Sequence, residues 1–163
     1  MKIVTGIGPR VGSSFVMNAI REYDIPTLGQ RFLEFTPEDE NPNGYWELHP
    51  SLIKDGVHHR EWKNLCIKLW PCVLLKTPAY NINRLVILER LDKEKQKEST
   101  IRVHNKEKEL MYYESPFNPI EDIIDWSRWC LSRVLEKTNC PILRVYTEDI
   151  SDRVEEILAF MEN

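Results

Sequence analysis

The stretch GIGPRVGSSF, residues 6–15, determines how the start of this chain folds. It begins at Gly6, which closes a short apolar run over residues 2–6, and it leads into residues 13–23, where apolar side chains recur at helical spacing. We therefore predict a strand, a glycine-rich turn and a helix, in that order. Backbone N–H groups of such a turn and of the helix N-terminus form an anion site. The residues expected to line this site are Gly8, Pro9, Arg10, Val11, Gly12, Ser13 and Ser14.

The turn differs from a nucleoside-triphosphate loop, which ends in Gly-Lys-Ser or Gly-Lys-Thr. Ser13 stands at the position of that lysine. The basic residue of the turn, Arg10, comes before Gly12 and not after it. An arginine inside the turn can make forked, charge-assisted contacts with an anion, and nearby hydroxyl groups can donate to the same oxygens. The pattern therefore raises the question of which anion the turn binds.

Length and composition indicate one ordinary globular domain. With 163 residues, the chain is long enough for one domain with a real core and too short for two, so we predict a single domain over residues 1–163. Hydrophobic residues make up 42% and charged residues 29%, as in soluble globular proteins. The net charge of -4 gives no general attraction for nucleic acid or an anionic membrane. No apolar stretch approaches the ~18 residues that span a bilayer, and no leader is evident, so we expect a cytoplasmic protein without a membrane partner.

Three short apolar runs, CVLLK (72–76), LVILER (85–90) and ILRVY (142–146), are typical of strands buried on both faces. Residues 118–137 and residues from about 151 onward carry helical patterns. Strands that alternate with helices predict an α/β fold with a doubly wound, mostly parallel sheet. Ligands of such sheets bind at the carboxyl ends of the strands, which is where the glycine turn lies.

Two polar segments and the cysteines complete the pattern. TPEDENPNGYWELHP, residues 36–50, is rich in turn formers and predicts a loop long enough to be functional, followed by a helix that starts near Pro50. Residues 92–109 are densely charged and fit a solvated helix or flap, or an element that touches ligand.

The cysteines are spaced too irregularly for a zinc site or a redox pair, so we predict free thiols and no metal. They are Cys66, Cys72, Cys130 and Cys140.

The turn resembles the 5'-phosphosulfate loop of the P-loop sulfotransferases, commonly written Pro-(Lys/Arg)-Ser-Gly-Thr. Pro9, Arg10, Gly12 and Ser13 match it, and Val11 stands at the usual serine. NPNGYWE (41–47) is similar to the Asn-Pro-x-Gly-Tyr-(Phe/Trp)-Glu segment of bacterial and phage sulfotransferase-like proteins. LLKTP (74–78) looks like their strand ending in Lys-x-Pro, and YTEDISDRVEEILAFM (146–161) resembles their late strand end and closing helix.

The resemblance implies a P-loop NTPase-like, three-layer α/β/α fold. It also implies transfer of a sulfuryl group, without a metal, from 3'-phosphoadenosine 5'-phosphosulfate (PAPS) to an unknown hydroxyl or amine of a small molecule or glycan. Arg10 would contact the leaving phosphate, and the product 3'-phosphoadenosine 5'-phosphate (PAP) would occupy the same site. LVILERLDKEKQKES (85–99) resembles the segment that grips the 3'-phosphate, which by position assigns Arg90 and Ser99, with Arg102 as the alternative to Ser99.

The catalytic groups are assigned by the same resemblance. Lys76 would approach the sulfuryl oxygens or the acceptor from the end of a central strand. Glu47 is the first candidate for the base that removes the acceptor's proton, because Pro78 stands where many members have a histidine. The next candidates are His49, His58 and His59, and Tyr45 and Trp46 would stack on adenine or an aromatic acceptor, or anchor the loop.

Two other classes of function stay open. A small P-loop kinase would share the fold, and LVILE (85–89) is similar to an apolar Walker-B strand that ends in Glu89. Such a kinase needs a lysine beside Ser14 and a Mg-binding acid, and the lysine is absent from the turn. A nucleotide-binding or scaffold protein without catalysis is the other alternative. A thermal-shift comparison of PAP with ADP and ATP, with and without Mg²⁺, is the measurement that narrows these alternatives most.

Overall fold

A computed structural model describes residues 1–32, 45–47, 56–58, 62–110 and 120–162. For residues 30–32, 45–47, 103–110 and 120–122 it describes the backbone alone. The described strands are β1 (Lys2–Gly6), β2 (Thr27–Leu28), β3 (Gln30–Phe32), β4 (Tyr45–Glu47), β5 (Cys66–Lys68), β6 (Arg84–Glu89) and β7 (Ile142–Tyr146). The described helices are α1 (Ser13–Glu22), α2 (Pro71–Lys76), α3 (Lys93–Leu110), α4 (Ile120–Leu135) and α5 (Val154–Glu162).

Five strands form one sheet in the order β2-β5-β1-β6-β7, and all of its pairings are parallel. In the register of the central strands, Lys2 of β1 lies between Cys66 of β5 and Arg84 of β6. A separate antiparallel pair joins β3 to β4. The predicted α/β fold with a parallel sheet is therefore confirmed.

Helices cover both faces of the sheet and give three layers. Alternate residues of β6 point to opposite faces, as expected for a strand. Val86 packs in a core with residues of α1 and α5, whereas Leu85 packs in a second core with residues of α2 and α4. Both cores are closed by buried aliphatic side chains, which include Ile20, Leu74, Leu131 and Ile157. The central strands are thus buried on both faces, as their unbroken apolar runs predict.

The prediction of a strand over residues 72–76 is wrong, because Pro71–Lys76 forms helix α2. A short apolar run does not distinguish a buried strand from a buried helical turn by its pattern alone. Pro71 occupies the first turn of α2, where its missing N–H has no helical partner to lose. The strand beside β1 is instead the shorter and less apolar β5, Cys66–Lys68.

Two further predictions, one of a strand and one of a loop, need correction. β7 forms as predicted, but it lies at the edge of the sheet and, of its five residues, only Val145 is buried. Tyr45–Glu47, predicted to lie in a loop, forms β4 instead, and its backbone pairs with Gln30–Phe32. The rest of the predicted 36–50 loop and the helix predicted near Pro50 lie outside the described residues.

The helical predictions hold, with shifted ends. The charged segment forms helix α3. The helix predicted over residues 118–137 is described from Ile120 to Leu135 as α4, and residues 118 and 119 lie outside the described part. α5 starts at Val154 rather than near Ser151, and it buries Ile157, Leu158 and Met161. None of the helices in the described part of the chain is long and apolar enough to cross a membrane.

Candidate functional site

The turn of residues 7–12 joins the carboxyl end of β1 to the start of α1. Three of its residues have left-handed backbones: Gly8 at φ 80°, Arg10 at φ 62° and Gly12 at φ 81°. Glycine adopts this region at little cost, whereas an arginine there is strained. Strain of this kind persists where surrounding contacts fix the backbone, and it is concentrated at functional sites.

The two left-handed glycines lie against side chains of other elements. A Cβ at Gly8 would lie 2.9 Å from Ile124 Cγ1 and 3.1 Å from Gln96 Nε2. A Cβ at Gly12 would lie 2.6 Å from Ile150 Cδ1. Both distances to the isoleucines are shorter than carbon atoms tolerate, so any larger residue at 8 or 12 must displace the turn or its neighbours.

Carbonyl groups along the turn accept hydrogen bonds from side chains of the segments that follow β6 and β7. The bonds run from Gln96 Nε2 to Ile7 O at 2.9 Å and Pro9 O at 2.8 Å, from Arg90 Nη1 to Arg10 O at 3.4 Å, and from Thr147 Oγ1 to Val11 O at 3.0 Å. These contacts fix the orientation of four peptide groups.

The fixed carbonyls determine where the N–H groups point. In a trans peptide the N–H that follows a carbonyl points the opposite way, so the N–H groups of residues 8, 10, 11 and 12 are directed away from these donors. Within the described part of the chain, nothing accepts a hydrogen bond from the N–H groups of Gly8, Val11 or Gly12. The first N–H groups of α1 adjoin them, and the helix dipole adds partial positive charge. The turn thus presents a set of donors suited to an anion.

Arg10 and Ser99, predicted from sequence to bind opposite ends of a nucleotide, are in contact. Arg10 Nε donates to Ser99 Oγ at 3.0 Å, and Ser99 is a buried residue of α3. Arg90 follows the last residue of β6 and reaches the Arg10 carbonyl from the adjacent strand. The structure therefore brings Arg10, Arg90 and Ser99 together at the carboxyl edge of the sheet, where the sequence predicts the ligand.

Glu148 lies next to Arg90 and is held by the backbone. Its carboxylate accepts hydrogen bonds from Leu91 N at 3.1 Å and Asp92 N at 3.3 Å, and its Oε1 is 3.8 Å from Arg90 Nε. Burial raises the pKa of Glu148, but these hydrogen bonds and the Arg90 charge outweigh burial, so its pKa lies below the usual value. A carboxylate that stays ionised beside Arg90 partly balances the positive charge of this guanidinium.

Glu89, the carboxylate that a kinase would use for Mg²⁺, is engaged in ion pairs. Its Oε1 is 3.0 Å from Lys93 Nζ and 3.5 Å from Arg128 Nη2. Burial raises the pKa of Glu89, but the hydrogen bond and charge of Lys93, together with Arg128, lower it below the usual value. Within the described residues, no three His, Cys, Asp or Glu side chains are grouped so that they could hold a metal ion.

Lys76 is placed differently from its prediction. It ends helix α2 and is exposed, so the strand end that would have directed it toward the ligand does not exist. After α2 the chain runs to the amino edge of the sheet, where Asn83 N donates to Met1 O at 2.8 Å. The catalytic role of Lys76 stays a prediction, without the strand that motivated it.

Glu47 lies in β4, with its backbone opposite Gln30. β3 follows the carboxyl end of β2, and β4 also contacts α1, the helix that the turn leads into. The side chain of Glu47 lies outside the described part, as do those of Tyr45 and Trp46. His58 is an exposed residue, and the predictions for His49 and His59 fall outside the described residues.

Sequence reasoning did not single out Gln96, Thr147 or Glu148. A signal for Gln96 was present: in the charged segment, Gln96, Ser99 and Thr100 are uncharged and lie at positions i, i+3 and i+4 of a helix. All three are buried. Uncharged residues at this spacing mark the helix face that is turned toward the protein.

No protein-family model, curated protein or solved structure matches the chain. The function proposed below depends on the sequence motifs and on the contacts of the turn.

Proposed function

We propose that this protein is a PAPS-dependent sulfotransferase and that the turn of residues 7–12 binds the 5'-phosphosulfate group of PAPS. The observation that carries the proposal is the orientation of the turn: its carbonyls are held by Gln96, Arg90 and Thr147, so its N–H groups face away from these side chains. Arg10 adds a full positive charge within the same turn. The arrangement supplies anion contacts without the lysine of a triphosphate loop.

The proposed chemistry needs little covalent participation by the protein. Sulfuryl transfer, like phosphoryl transfer, passes through a loose in-line transition state, so the protein positions the reactants and stabilises charge on the leaving oxygens. In this proposal, Arg10 and the N–H groups of the turn stabilise the leaving 5'-phosphate. Main-chain and guanidinium groups supply this charge, so we expect binding without Mg²⁺.

We assign Arg90 and Ser99 to the 3'-phosphate. Ser99 Oγ accepts a hydrogen bond from Arg10 Nε, and a hydroxyl that accepts can still donate its own hydrogen to a phosphate oxygen. Arg90 is half-buried next to Glu148 and lies one strand away from the turn. Because Arg10 contacts Ser99 directly, the two ends of the nucleotide would be recognised by one connected group of side chains.

We assign Glu47 as the general base that removes the proton from the acceptor.

The contacts of Glu89 favour this proposal over a kinase, because Lys93 and Arg128 already neutralise the carboxylate that would bind Mg²⁺. A protein that binds PAP or PAPS without transferring the sulfuryl group would use the same turn. Transfer from PAPS, measured as release of PAP in the presence of acceptors, separates that alternative from an enzyme.

Calorimetric titration of the protein with PAP, AMP and ATP tests the proposal. We expect PAP to bind with equal affinity in EDTA and in Mg²⁺, and more tightly than AMP or ATP, because the site combines Arg10, Arg90 and amide donors without a Walker lysine. Tight Mg²⁺-dependent ATP binding together with undetectable PAP binding contradicts the proposal.

Replacement of Arg90 with glutamine is expected to lower PAP affinity by about tenfold, the effect of one charge-assisted hydrogen bond. AMP affinity should fall less, because AMP lacks the 3'-phosphate and loses only the effect of the long 3.4 Å bond from Arg90 Nη1 to Arg10 O on the turn. Arg128→Gln is the matched control, since it removes the same charge from an exposed arginine that contacts Glu89. A preference for PAP that survives in Arg90→Gln would assign the 3'-phosphate to Arg102, Lys93 or Lys97 instead.

A further inference from the structure

Gln96 is a fully buried polar residue of α3, with 0% of its surface exposed. Its Nε2 donates to both Ile7 O and Pro9 O, at 2.9 Å and 2.8 Å. Its Oε1 is buried, and no hydrogen-bond partner for this atom is found in the described part of the chain. The side chain therefore makes its described polar contacts through one end alone.

The chemistry of the two partners fixes the orientation of the amide. Both partners are carbonyl oxygens, which only accept hydrogen bonds, so the NH₂ end must face them and the reversed amide would place three oxygens together. A buried acceptor without a partner destabilises the fold relative to an apolar side chain of similar shape. An amide at this position is therefore explained by the two bonds to the turn.

Those two bonds direct the backbone that follows each carbonyl. With Ile7 O and Pro9 O directed at Gln96, the N–H groups of Gly8 and Arg10 point away from it. Gly8 also lies so close that an added Cβ would be 3.1 Å from Gln96 Nε2. We infer that Gln96 is a positioning residue, which holds the turn so that the N–H group of Gly8 is directed toward a bound sulfate or phosphate group. This inference rests on the anion site of the proposed function.

The probe for this inference is inorganic sulfate, which contains no nucleotide. We expect sulfate added to the ¹⁵N-labelled protein to shift the backbone amide signals of Gly8, Arg10 and Gly12. Gln96→Met keeps the length of the side chain and removes its donors to the turn. Sulfate binding should weaken by about tenfold or more, the effect of losing a charge-assisted bond between a turn N–H group and sulfate. Thr100→Val is the control: Thr100 is buried one turn further along α3 and bonds only within that helix in the contacts described, to Gln96 O. Its sulfate affinity should stay within about twofold of the wild type.

Gln96→Glu provides a second test inside one folded protein. An ionised carboxylate at this position repels both carbonyls, whereas the protonated acid can donate to one of them. Burial raises the pKa of a carboxyl group above its usual ~4.3, so sulfate affinity relative to the wild type should rise as the pH falls from about 8 to about 5.5. Because ionisation of a buried carboxyl group also lowers the stability of the fold, thermal unfolding of Gln96→Glu is measured at each pH. A sulfate affinity that changes with pH while the protein stays fully folded reports the orientation of the turn and not a loosened core.

Three results would overturn the inference: unchanged sulfate affinity in Gln96→Met, a relative affinity of Gln96→Glu that is flat with pH, or no shift of the turn amides in the wild type. Failure of the proposed nucleotide specificity has a different signature. In that case sulfate binds the turn and the Gln96 variants weaken it, but PAP binds no better than sulfate. The role of Gln96 then stands and the assignment of PAPS does not.

Discussion

Replacing Arg10 with alanine is expected to weaken PAP binding by about 1.5 to 3 kcal/mol, which is roughly ten- to hundredfold in affinity. Arg10 carries the charge of the turn, and its Nε bonds to Ser99. Its loss would remove the forked contact proposed for the 5'-phosphate, and it would free Ser99 from the position that the bond to Arg10 gives it. Calorimetry in EDTA measures the effect.

Two further variants make this result specific. Arg10→Lys keeps the charge but not the forked geometry, so it should give an intermediate affinity. Arg21→Ala removes an exposed arginine from the far end of α1 and should leave PAP affinity within about twofold of the wild type. If the folded Arg10→Ala protein binds PAP as tightly as the wild type, Arg10 does not belong to the site.

Replacing Glu47 with glutamine is expected to lower the rate of sulfuryl transfer by ~10² or more, the usual contribution of a general base, while PAP affinity changes little. The strand that carries Glu47 pairs with β3 just beyond β2 and contacts α1, so its backbone runs beside the helix that starts at the turn. A base must act on the acceptor and not on the nucleotide, and for this reason turnover and PAP affinity should separate. Release of PAP from PAPS, followed over time in the presence of an acceptor, gives the rate.

Glu22→Gln is the matched control for this substitution, because Glu22 ends α1 on the side away from the turn. It should leave the transfer rate within about twofold of the wild type. A Glu47→Gln protein with undiminished turnover would remove Glu47 as the base, and His49, His58 and His59 would be the next to replace.

The position of Arg10 and Arg90 at one edge of the sheet was predictable from the sequence in physical terms. The apolar run at residues 85–89 is part of the central strand β6, and the carboxyl ends of adjacent parallel strands meet at one edge of the sheet. Arg10 follows β1, Arg90 follows β6, and Ser99 lies two turns into the helix after β6. A local pattern and one rule of topology therefore place Arg10 and Arg90, whereas Ser99 was assigned only by the resemblance.

Other features depend on contacts that a local pattern does not contain. The bond from Gln96 to Ile7 O spans 89 positions of the chain, and nothing in either short segment specifies the other. The apolar run at 72–76 fits a strand or a helical turn equally well, and Pro71 together with the packing of Leu74 selects the helix. The predicted position of Lys76 assumed a strand over residues 72–76. Because these residues form a helix, Lys76 does not lie at the end of a strand.

A crystal structure of the protein with bound PAP shows whether the turn of residues 7–12 binds the 5'-phosphate. We expect the 5'-phosphate oxygens to accept hydrogen bonds, at about 3 Å, from the N–H groups of Val11 and Gly12 and from the Arg10 guanidinium. The 3'-phosphate should contact Arg90 and Ser99. A 5'-phosphate that lies outside the turn, with the N–H groups of Val11 and Gly12 making no contact with the nucleotide, would contradict the account.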